Sequence, residues 1–305
     1  MKPPYASRCK NLTGIYGPIL TPGSDGWFQT MSASKVAAVL GLSPFTSRFT
    51  LWHQMNGTAA KTETTDVMRR GHYLEPAIRE WLKDQLRWKV IRTGTWTHPE
   101  IPWATATPDG LVLGAPEGAR LVEIKSASNG DEWGKAYSDE IPAGYRAQIM
   151  WQLMVTGATY CHVAVLLPFL EMREYLVGFD QAEADYILAG VVGFMESLKA
   201  GIAPPLDGAD STYQTVRELH PEIDGTDVEV DPITAIMFLN DKRGLTEAVA
   251  TEQESRSKML DAMGNAKRAV CNGVVVATRT AKNGGTPYLS YPRSLPTLAD
   301  LKEIA

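Results

Sequence analysis

Glu123 and Lys125, in the segment RLVEIKSA, are the residues whose types and spacing indicate chemistry most directly. The alternation of this segment predicts a β-strand, on which every second side chain points to the same face. Val122 and Ile124 would then face one way, and Glu123 and Lys125 would stand about 6.5 Å apart on the other side. Such a pair alone is typical of an exposed strand, so its interpretation depends on the residues around it.

Asp109 lies upstream of this strand, in a Pro-Asp-Gly sequence at 108–110. That sequence is ordinary turn chemistry, but a strand returning from the turn would bring the Asp109 carboxylate to the end of the strand that holds Glu123. Two carboxylates beside a lysine form a site for a hard divalent cation, and we expect Mg²⁺ there, with Mn²⁺ able to substitute. The cation could lower the pKa of a bound water, which Lys125 would orient or deprotonate.

Glu75 is a third acidic candidate. It lies on a helix predicted over 71–86, one position round from a buried stripe of Leu74, Ile78, Trp81 and Leu82. From there it could face the edge of the sheet. The spacing favours equally an ion pair between Glu75 and Arg79, which follows one turn later.

Gln148 and Gln152 share one face of a helix predicted over 143–156, with Tyr145 just below them. A polar stripe in an otherwise apolar helix needs hydrogen-bond partners, which are solvent, backbone or a ligand. We therefore include this helix among the elements that position the site.

The remaining periodicity predicts an α/β fold, a mixed sheet flanked by helices, after an irregular arm of about thirty residues. Pro204-Pro205 predicts a boundary between a domain at 1–204 and a C-terminal extension at 205–305. The pattern of the extension predicts a long helical stretch followed by a hairpin. Besides those named above, helices are predicted at 33–40, 47–56, 181–199 and 232–270, and strands within 101–127 and at 160–169, 173–180, 273–280 and 287–291.

The composition excludes several classes of protein. With 44% hydrophobic and 21% charged residues among 305, the chain is globular rather than disordered. No apolar run approaches the ~20 residues of a membrane helix, and the N-terminal sequence lacks a signal-peptide core. The three cysteines, Cys9, Cys161 and Cys271, have neither disulfide-framework nor metal-site spacing. We expect a cytoplasmic protein without membrane contact, and the imperfect phosphate loop at 130–136 predicts no use of ATP.

The net charge of −5 is unevenly distributed along the chain. Residues 171–231 carry 3 Lys or Arg against 14 Asp or Glu, which is typical of a solvated acidic face. Residues 1–170 carry 17 basic against 14 acidic residues, so the first half remains free to bind a phosphate backbone.

Four groups of segments, in this order, resemble the YqaJ-type viral recombinases, the family that includes the lambda-type exonuclease and belongs to the PD-(D/E)xK nuclease superfamily. They cover about residues 30–180, and they are MSASKVAAVLGLSPF with TLWHQMNG, then RGHYLEPAI, then ATPDGLV followed by LVEIKSAS, and last YRAQIMWQLMVTG. The resemblance implies a restriction-endonuclease-like PD-(D/E)xK core for the domain at 1–204, followed by the helical and hairpin extension.

The resemblance also implies roles for single residues. The metal carboxylates fall on Asp109 and Glu123, with the main-chain carbonyl of Ile124 as a further ligand. The catalytic residues it implies are Lys125, Glu75 and Gln148.

The 5′-phosphate pocket is the part of the family pattern from which this sequence departs. Ser34 matches the serine that binds the terminal phosphate, and Ser32 lies beside it at the start of a predicted helix, where free N–H groups attract an anion. A helix cap and nothing more is the alternative interpretation of these serines. No arginine near Trp27 matches the one that assists this serine, so Arg48 or Arg146 is expected to substitute. The residues expected to contact DNA or its 5′-phosphate are Ser32, Ser34, Arg48, Tyr145 and Arg146.

The function that the resemblance implies is a Mg²⁺-dependent 5′-to-3′ exonuclease of phage recombination. It would act on double-stranded DNA ends, leave 3′ single strands for a single-strand annealing protein, and form a homo-trimer around the DNA. A metal site does not encode polarity, so a repair or restriction-type endonuclease on the same fold stays open. A catalytically inactive DNA-end-binding protein is the third alternative, although the intact set of Asp109, Glu123 and Lys125 argues against it.

Overall fold

The computed structural model describes residues 5–60, 65–292 and 295–301, and it divides into two compact units, Met1–Ile223 and Asp224–Ala305. The helices of the first unit are α1 (Asp25–Phe28), α2 (Ala33–Val39), α3 (Arg48–Met55), α4 (Asp66–Leu86), α5 (Ala143–Thr156), α6 (Gln181–Ala200) and α7 (Asp210–Leu219). Its strands are β1 (Ile15–Gly17), β2 (Met31–Ser32), β3 (Lys89–Ile91), β4 (Thr95–Thr97), β5 (Ala104–Ala106), β6 (Gly110–Ala115), β7 (Gly118–Ser126), β8 (Tyr160–Leu166) and β9 (Met172–Gly178).

A mixed five-stranded sheet with the order β3-β6-β7-β8-β9 forms the centre of the first unit. Strands β7 and β8 run parallel, and the other three pairs are antiparallel. The parallel pair is joined through α5, because parallel neighbours need a crossover connection. The predicted fold class, a mixed sheet flanked by helices, is confirmed.

The alternation predicted for the strand at 119–127 is also confirmed, on β7. Val122 and Ile124 pack in one apolar cluster with Ile78 and Leu82 of α4. Leu121 faces the opposite side and belongs to the larger cluster that includes the buried residues of α5. Glu123 and Lys125 therefore point toward the side of the sheet that α5 covers.

Helix α4 begins earlier than the predicted residue 71. Thr65 caps it by accepting a hydrogen bond from the Met68 N–H at 3.3 Å, and Asp66 adds a favourable charge to the first turn. Gly71, which we interpreted as the start, is tolerated inside the helix because packing of the apolar face outweighs its propensity cost of about 1 kcal/mol. Of the predicted stripe, Ile78 and Leu82 are buried, whereas Leu74 and Trp81 are only partly buried against the same cluster.

A second, four-stranded sheet, with the order β1-β4-β5-β2, corrects the prediction of an irregular arm over the first thirty residues. Strand β1 pairs with β4, and β2 pairs in parallel with β5. These strands are two or three residues long, too short to show any period in the sequence. The partners of β1 and β2 lie far along the chain, so local patterns could not indicate these two strands.

The second unit contains α8 (Pro232–Met263), β10 (Arg268–Cys271), β11 (Val274–Thr280) and β12 (Tyr288–Ser290). The three strands form an antiparallel sheet, which confirms the hairpin. The helix was predicted to run to residue 270, and this is wrong: it ends at Met263, is followed by Gly264 at φ 50°, and the chain then enters β10. None of the helices in the described part of the chain has the length and apolar character needed to cross a bilayer.

Helix α7 lies beyond the predicted boundary at Pro204-Pro205 but belongs to the first unit. The Thr212 hydroxyl donates to Ser47 Oγ at 2.6 Å, and the hydroxyls of Thr215 and Thr50 are 2.9 Å apart. These threonines are buried against α3. The division 1–204 and 205–305 therefore does not coincide with the compact units, and the independence of residues 1–204 stays a prediction.

We expect a chain that ends at residue 204 to be less stable than one that ends at residue 223. Removal of α7 deletes three hydrogen bonds to Ser47 and Thr50, each worth about 0.5–1.5 kcal/mol. The free energy of unfolding should fall by about 2–4 kcal/mol, measured by urea denaturation followed by circular dichroism. Equal stabilities of the two truncated chains would show that α7 is dispensable.

Candidate active site

Asp109 is held next to the β7 strand by a hydrogen bond to the main chain. It immediately precedes β6, whose first residue Gly110 pairs with Val122 on β7. The Ile124 N–H donates to Asp109 Oδ2 at 2.7 Å. This bond fixes the carboxylate beside Glu123, as the turn at 108–110 predicts.

Glu123 is the most completely bonded residue of the site. Its side chain is almost fully buried, at 3% exposure. Gln148 Nε2 donates to its Oε1 at 2.7 Å, Gln152 Nε2 donates to its Oε2 at 2.8 Å, and Lys125 Nζ lies 2.5 Å from Oε1. The polar stripe of α5 therefore finds its partner in this carboxylate.

Lys125 completes the group from the same strand. Its Nζ also donates to Gln148 Oε1 at 3.2 Å and stands 4.9 Å from the centre of the Tyr145 ring. Burial alone would lower the pKa of Lys125, but the negative charges of Glu123 and Asp109 outweigh burial and raise that pKa. The side chain is thus an ammonium at neutral pH.

The pKa of Asp109 is raised well above its ordinary value, first by burial and then by the nearby charge of Glu123. Lys125 offsets only part of this cost, because one ammonium faces two carboxylates. A divalent cation would remove the repulsion and return Asp109 to its charged form.

The residues present fit a hard cation such as Mg²⁺. Its ligands would be the carboxylates of Asp109 and Glu123 and the carbonyl of Ile124, since Mg²⁺ in proteins is bound by one or two carboxylates and completes its shell with waters and phosphates. No group of three His, Cys, Asp or Glu side chains suited to a metal occurs in the residues described. Within the described ranges Gln152 Oε1 is buried without a hydrogen-bond donor, which a water or a hydrated cation would supply.

Glu75 and Arg79 form the ion pair that the helical spacing allows. This pair is not a surface pair, because Arg79 is 5% exposed. Arg79 also donates to the main-chain carbonyl of Asp109 at 3.1 Å. Arg79 therefore anchors the turn that carries Asp109, a role that its spacing from Glu75 does not indicate.

Two neighbouring cavities have residues of the site in their walls. The first, the acid cavity, has a volume of about 420 Å³, and its lining includes Trp27, Ser32, Ser34, Glu75, Arg79, Arg92, Asp109, Glu123, Gln148 and Gln152. The second, the aromatic cleft, has a volume of about 600 Å³, and its lining includes Ser34, Phe45, Arg70, Trp133, Tyr145 and Gln148. Ser34 and Gln148 belong to both.

The two predicted phosphate-binding serines lie in the acid cavity with their hydroxyl oxygens 3.2 Å apart. Ser32 is the N-cap residue of the seven-residue helix α2, yet its side chain makes no capping hydrogen bond. Ser32 therefore occupies the cap position without using its hydroxyl as a cap, and this residue lines the acid cavity.

The two arginines proposed for this pocket lie elsewhere. Arg146 is held by Glu183 and Asp139, and Arg48 stands over the Phe194 ring at 5.7 Å. Neither lines the acid cavity or the aromatic cleft, and their contact with DNA stays a prediction.

Arg92 is an arginine of the acid cavity that the sequence motifs do not indicate. It lines the acid cavity with Ser32 and Ser34, and its side chain makes no ion pair with a residue of the described ranges. It lies just after β3, far from Ser34 in the sequence, so no local motif could have indicated it.

Lys35 stabilises the main-chain segment that leads to Ser32 in the wall of the acid cavity. It lies on α2, is 2% exposed, and donates to the carbonyls of Trp27 and Thr30, the latter at 2.7 Å. Its Nζ also stands 3.8 Å from the centre of the Trp27 ring. Burial lowers the pKa of Lys35 to about 7. The residue thus ties the segment before Ser32 to α2 and is held near its titration point.

Comparison with protein families gives one match. Residues 27–159 match the family model of the YqaJ-like viral recombinase domain. The resemblance indicated by the sequence motifs is confirmed over this range, which includes Asp109, Glu123, Lys125 and Gln148. No curated protein matches the chain significantly.

Solved structures similar to this chain include two exonucleases. The alkaline exonuclease LHK-Exo from Laribacter hongkongensis is 25% identical, with a TM-score of 0.48, over 58% of this chain and 94% of that one. A phage-related exonuclease from Haemophilus somnus 129PT is 11% identical, with a TM-score of 0.43, over 56% of this chain and 94% of that one.

Lys35 predicts a specific pH dependence of stability. Because its pKa is about 7 when folded and 10.5 ordinarily, the unfolded chain binds more protons between these values, and the free energy of unfolding rises with pH. The Lys35→Met variant lacks this contribution. Between pH 7.5 and 9.5 the stability of the wild type should rise by about 2–3 kcal/mol relative to the variant, measured by urea denaturation. If the difference in free energy of unfolding between the two proteins does not change with pH, Lys35 is not a buried titrating group.

Proposed function

We propose that the protein is a Mg²⁺-dependent 5′-to-3′ exonuclease of phage recombination, which digests one strand of double-stranded DNA ends and leaves 3′ single strands. The observation that carries this proposal is the buried pair of Asp109 and Glu123, with Lys125 hydrogen-bonded to Glu123. The match of residues 27–159 to the YqaJ-like viral recombinase domain supports a phage-type exonuclease.

Asp109, Glu123 and the Ile124 carbonyl would hold the cation, which supplies charge stabilisation to the phosphate under attack when it is bound. Lys125, protonated because its pKa is raised, donates hydrogen bonds to the attacking water or to a phosphate oxygen and thereby orients the reacting groups. Because a bound cation would offset the carboxylate charges that raise this pKa, Lys125 could also take the proton from that water.

Gln148 has a positioning role in this scheme. It donates to Glu123 and accepts from Lys125, so it fixes the distance between a metal ligand and the residue that orients the water. Glu75 acts indirectly. It forms an ion pair with Arg79 on the same helix, and Arg79 donates a hydrogen bond to the Asp109 carbonyl.

The polarity of the proposed exonuclease rests on Ser32, Ser34 and Arg92. Their hydroxyls and guanidinium line the same cavity as Asp109 and Glu123, and together they suit a terminal phosphate, which attracts hydrogen-bond donors and a positive charge. A 5′-phosphate bound there would hold the first internucleotide phosphate near the carboxylates. A homo-trimer around DNA and a single-strand annealing partner, implied by the family resemblance, complete the proposal.

We expect Lys125→Ala to lower the rate of digestion of linear duplex DNA in Mg²⁺ by at least about 100-fold, because the water loses its orienting group. Binding of metal and DNA should largely persist, since no ligand is removed. Asp109→Ala should lose cleavage and also bind Mg²⁺ more weakly. Gel assays of end-labelled duplex, with and without a chelator, measure cleavage, and calorimetry measures metal binding.

Lys89→Ala is the matched control, because Lys89 is an exposed lysine of the same sheet. It should digest DNA like the wild type. Near-normal cleavage by Lys125→Ala or Asp109→Ala would remove the proposed site, and a wild type that leaves linear duplex intact in Mg²⁺ would remove the nuclease proposal.

The polarity proposal predicts that duplex with a 5′-phosphate is degraded faster than the same duplex with a 5′-hydroxyl. Ser34→Ala should shrink this difference, because it removes one donor to the phosphate, whereas Ser197→Ala on α6, outside both cavities, should not. Strand-specific labels identify the attacked end, and closed circular duplex should resist. Attack from the 3′ end, or equal rates on circles, would overturn the polarity.

A further inference from the structure

The aromatic cleft lies next to the acid cavity. The two share Ser34, which the proposed function assigns to the terminal phosphate, and Gln148, which contacts Glu123 and Lys125. A nucleotide whose own phosphate lies at Ser34 and whose 3′ side reaches the carboxylates must project its base to one side of this junction. On one side are the charged groups of the acid cavity, and on the other is the cleft.

The walls of the cleft suit a flat apolar group. Phe45 stands at its mouth with 78% of its surface exposed, and the Ser43 hydroxyl holds the turn that carries it by accepting from the Phe45 and Thr46 N–H groups at 3.2 and 3.1 Å. Tyr145 lies within the cleft, and its ring centre is 5.7 Å from that of the buried Trp133. Aromatic faces of this kind stack on nucleobases irrespective of sequence.

The charges of the cleft exclude a phosphate from its interior. Asp131 and Glu132 line it against one arginine, Arg70, so its formal charge is negative. A phosphodiester would be repelled there, whereas an uncharged base would not. Ser128 and Asn129 line the same wall and, among the described residues, their side chains form no hydrogen bond, which leaves their donors and acceptors for the edge of a base.

The volume of the aromatic cleft is suited to a nucleobase. At about 600 Å³ the cleft falls within the range of small-ligand sites. We propose that the aromatic cleft binds the base of the terminal nucleotide that the enzyme releases, with Phe45 and Tyr145 as its stacking surfaces. This inference rests on the proposed function, and it assigns to Phe45 a role in substrate binding.

The test compares two linear duplexes with a 5′-phosphate, one with a normal terminal nucleotide and one whose terminal nucleotide lacks a base. In single-turnover digestion, the wild type should release the normal nucleotide at least about fivefold more efficiently than the abasic one. Phe45→Ala should lose this preference, to within about twofold, because it lowers efficiency on the normal end only. Equal rates on both ends by the wild type, or an undiminished preference in Phe45→Ala, would overturn the proposal.

Phe169→Ala is the matched control. Phe169 is fully exposed and lines neither cavity, so its loss removes the same apolar surface without touching the cleft. It should keep both the rate and the preference of the wild type. An equal effect of Phe45→Ala and Phe169→Ala would indicate a general surface effect and contradict the assignment.

A binding measurement without cleavage separates this proposal from the proposed function. In a chelator, calorimetry should show tighter binding of a deoxynucleoside monophosphate than of deoxyribose 5-phosphate, and Phe45→Ala should abolish the difference. Base-dependent binding in a protein that cleaves no DNA would refute the exonuclease and leave the cleft assigned. Cleavage without any base dependence in either assay would refute the cleft and leave the exonuclease intact.

Discussion

Two carboxylates buried side by side repel each other, and the candidate site is arranged around the Asp109–Glu123 pair. Burial and mutual repulsion raise the pKa of Asp109, and the ammonium of Lys125 offsets only part of this cost. The remaining groups act as hydrogen-bond donors: the Ile124 N–H holds Asp109, and the α5 glutamines hold Glu123. A buried pair that is only partly neutralised is a site that gains stability from a cation.

The architecture supplies these donors through the parallel pair β7–β8 and its crossover. The chain leaves β7 just after Lys125, and α5 then returns across the same face of the sheet. Its apolar residues, such as Ile149 and Leu153, are fully buried and leave Gln148 as the link between Glu123 and the two cavities. On the opposite face α4 contributes Arg79, which reaches the Asp109 carbonyl. The site is thus built from ordered elements on both faces of one sheet.

The sequence predicts the parts of this arrangement that are local or periodic. Alternation on β7 puts Glu123 and Lys125 on one face, and the polar stripe of α5 indicates that Gln148 has a partner. The sequence does not indicate Arg92, because Arg92 reaches the cavity only through long-range strand pairing. Nor does it indicate that Lys35 is buried, because a single lysine in a short helix is equally compatible with exposure to solvent. Strands β1 and β2 of the four-stranded sheet are missed for the same reason: each pairs with a strand far along the chain. Whether the named residues act in catalysis stays a prediction.

The most direct test of the account is to locate a cation at the carboxylate pair. Crystals of the full chain grown with Mn²⁺ should show an anomalous scattering peak bonded to carboxylate oxygens of Asp109 and Glu123 and to the Ile124 carbonyl, and Asp109→Asn should lose this peak while keeping the fold. The asparagine keeps an oxygen for the Ile124 N–H but removes the charge. Absence of a peak in the wild type at saturating Mn²⁺, or a peak held by other residues, would contradict the account.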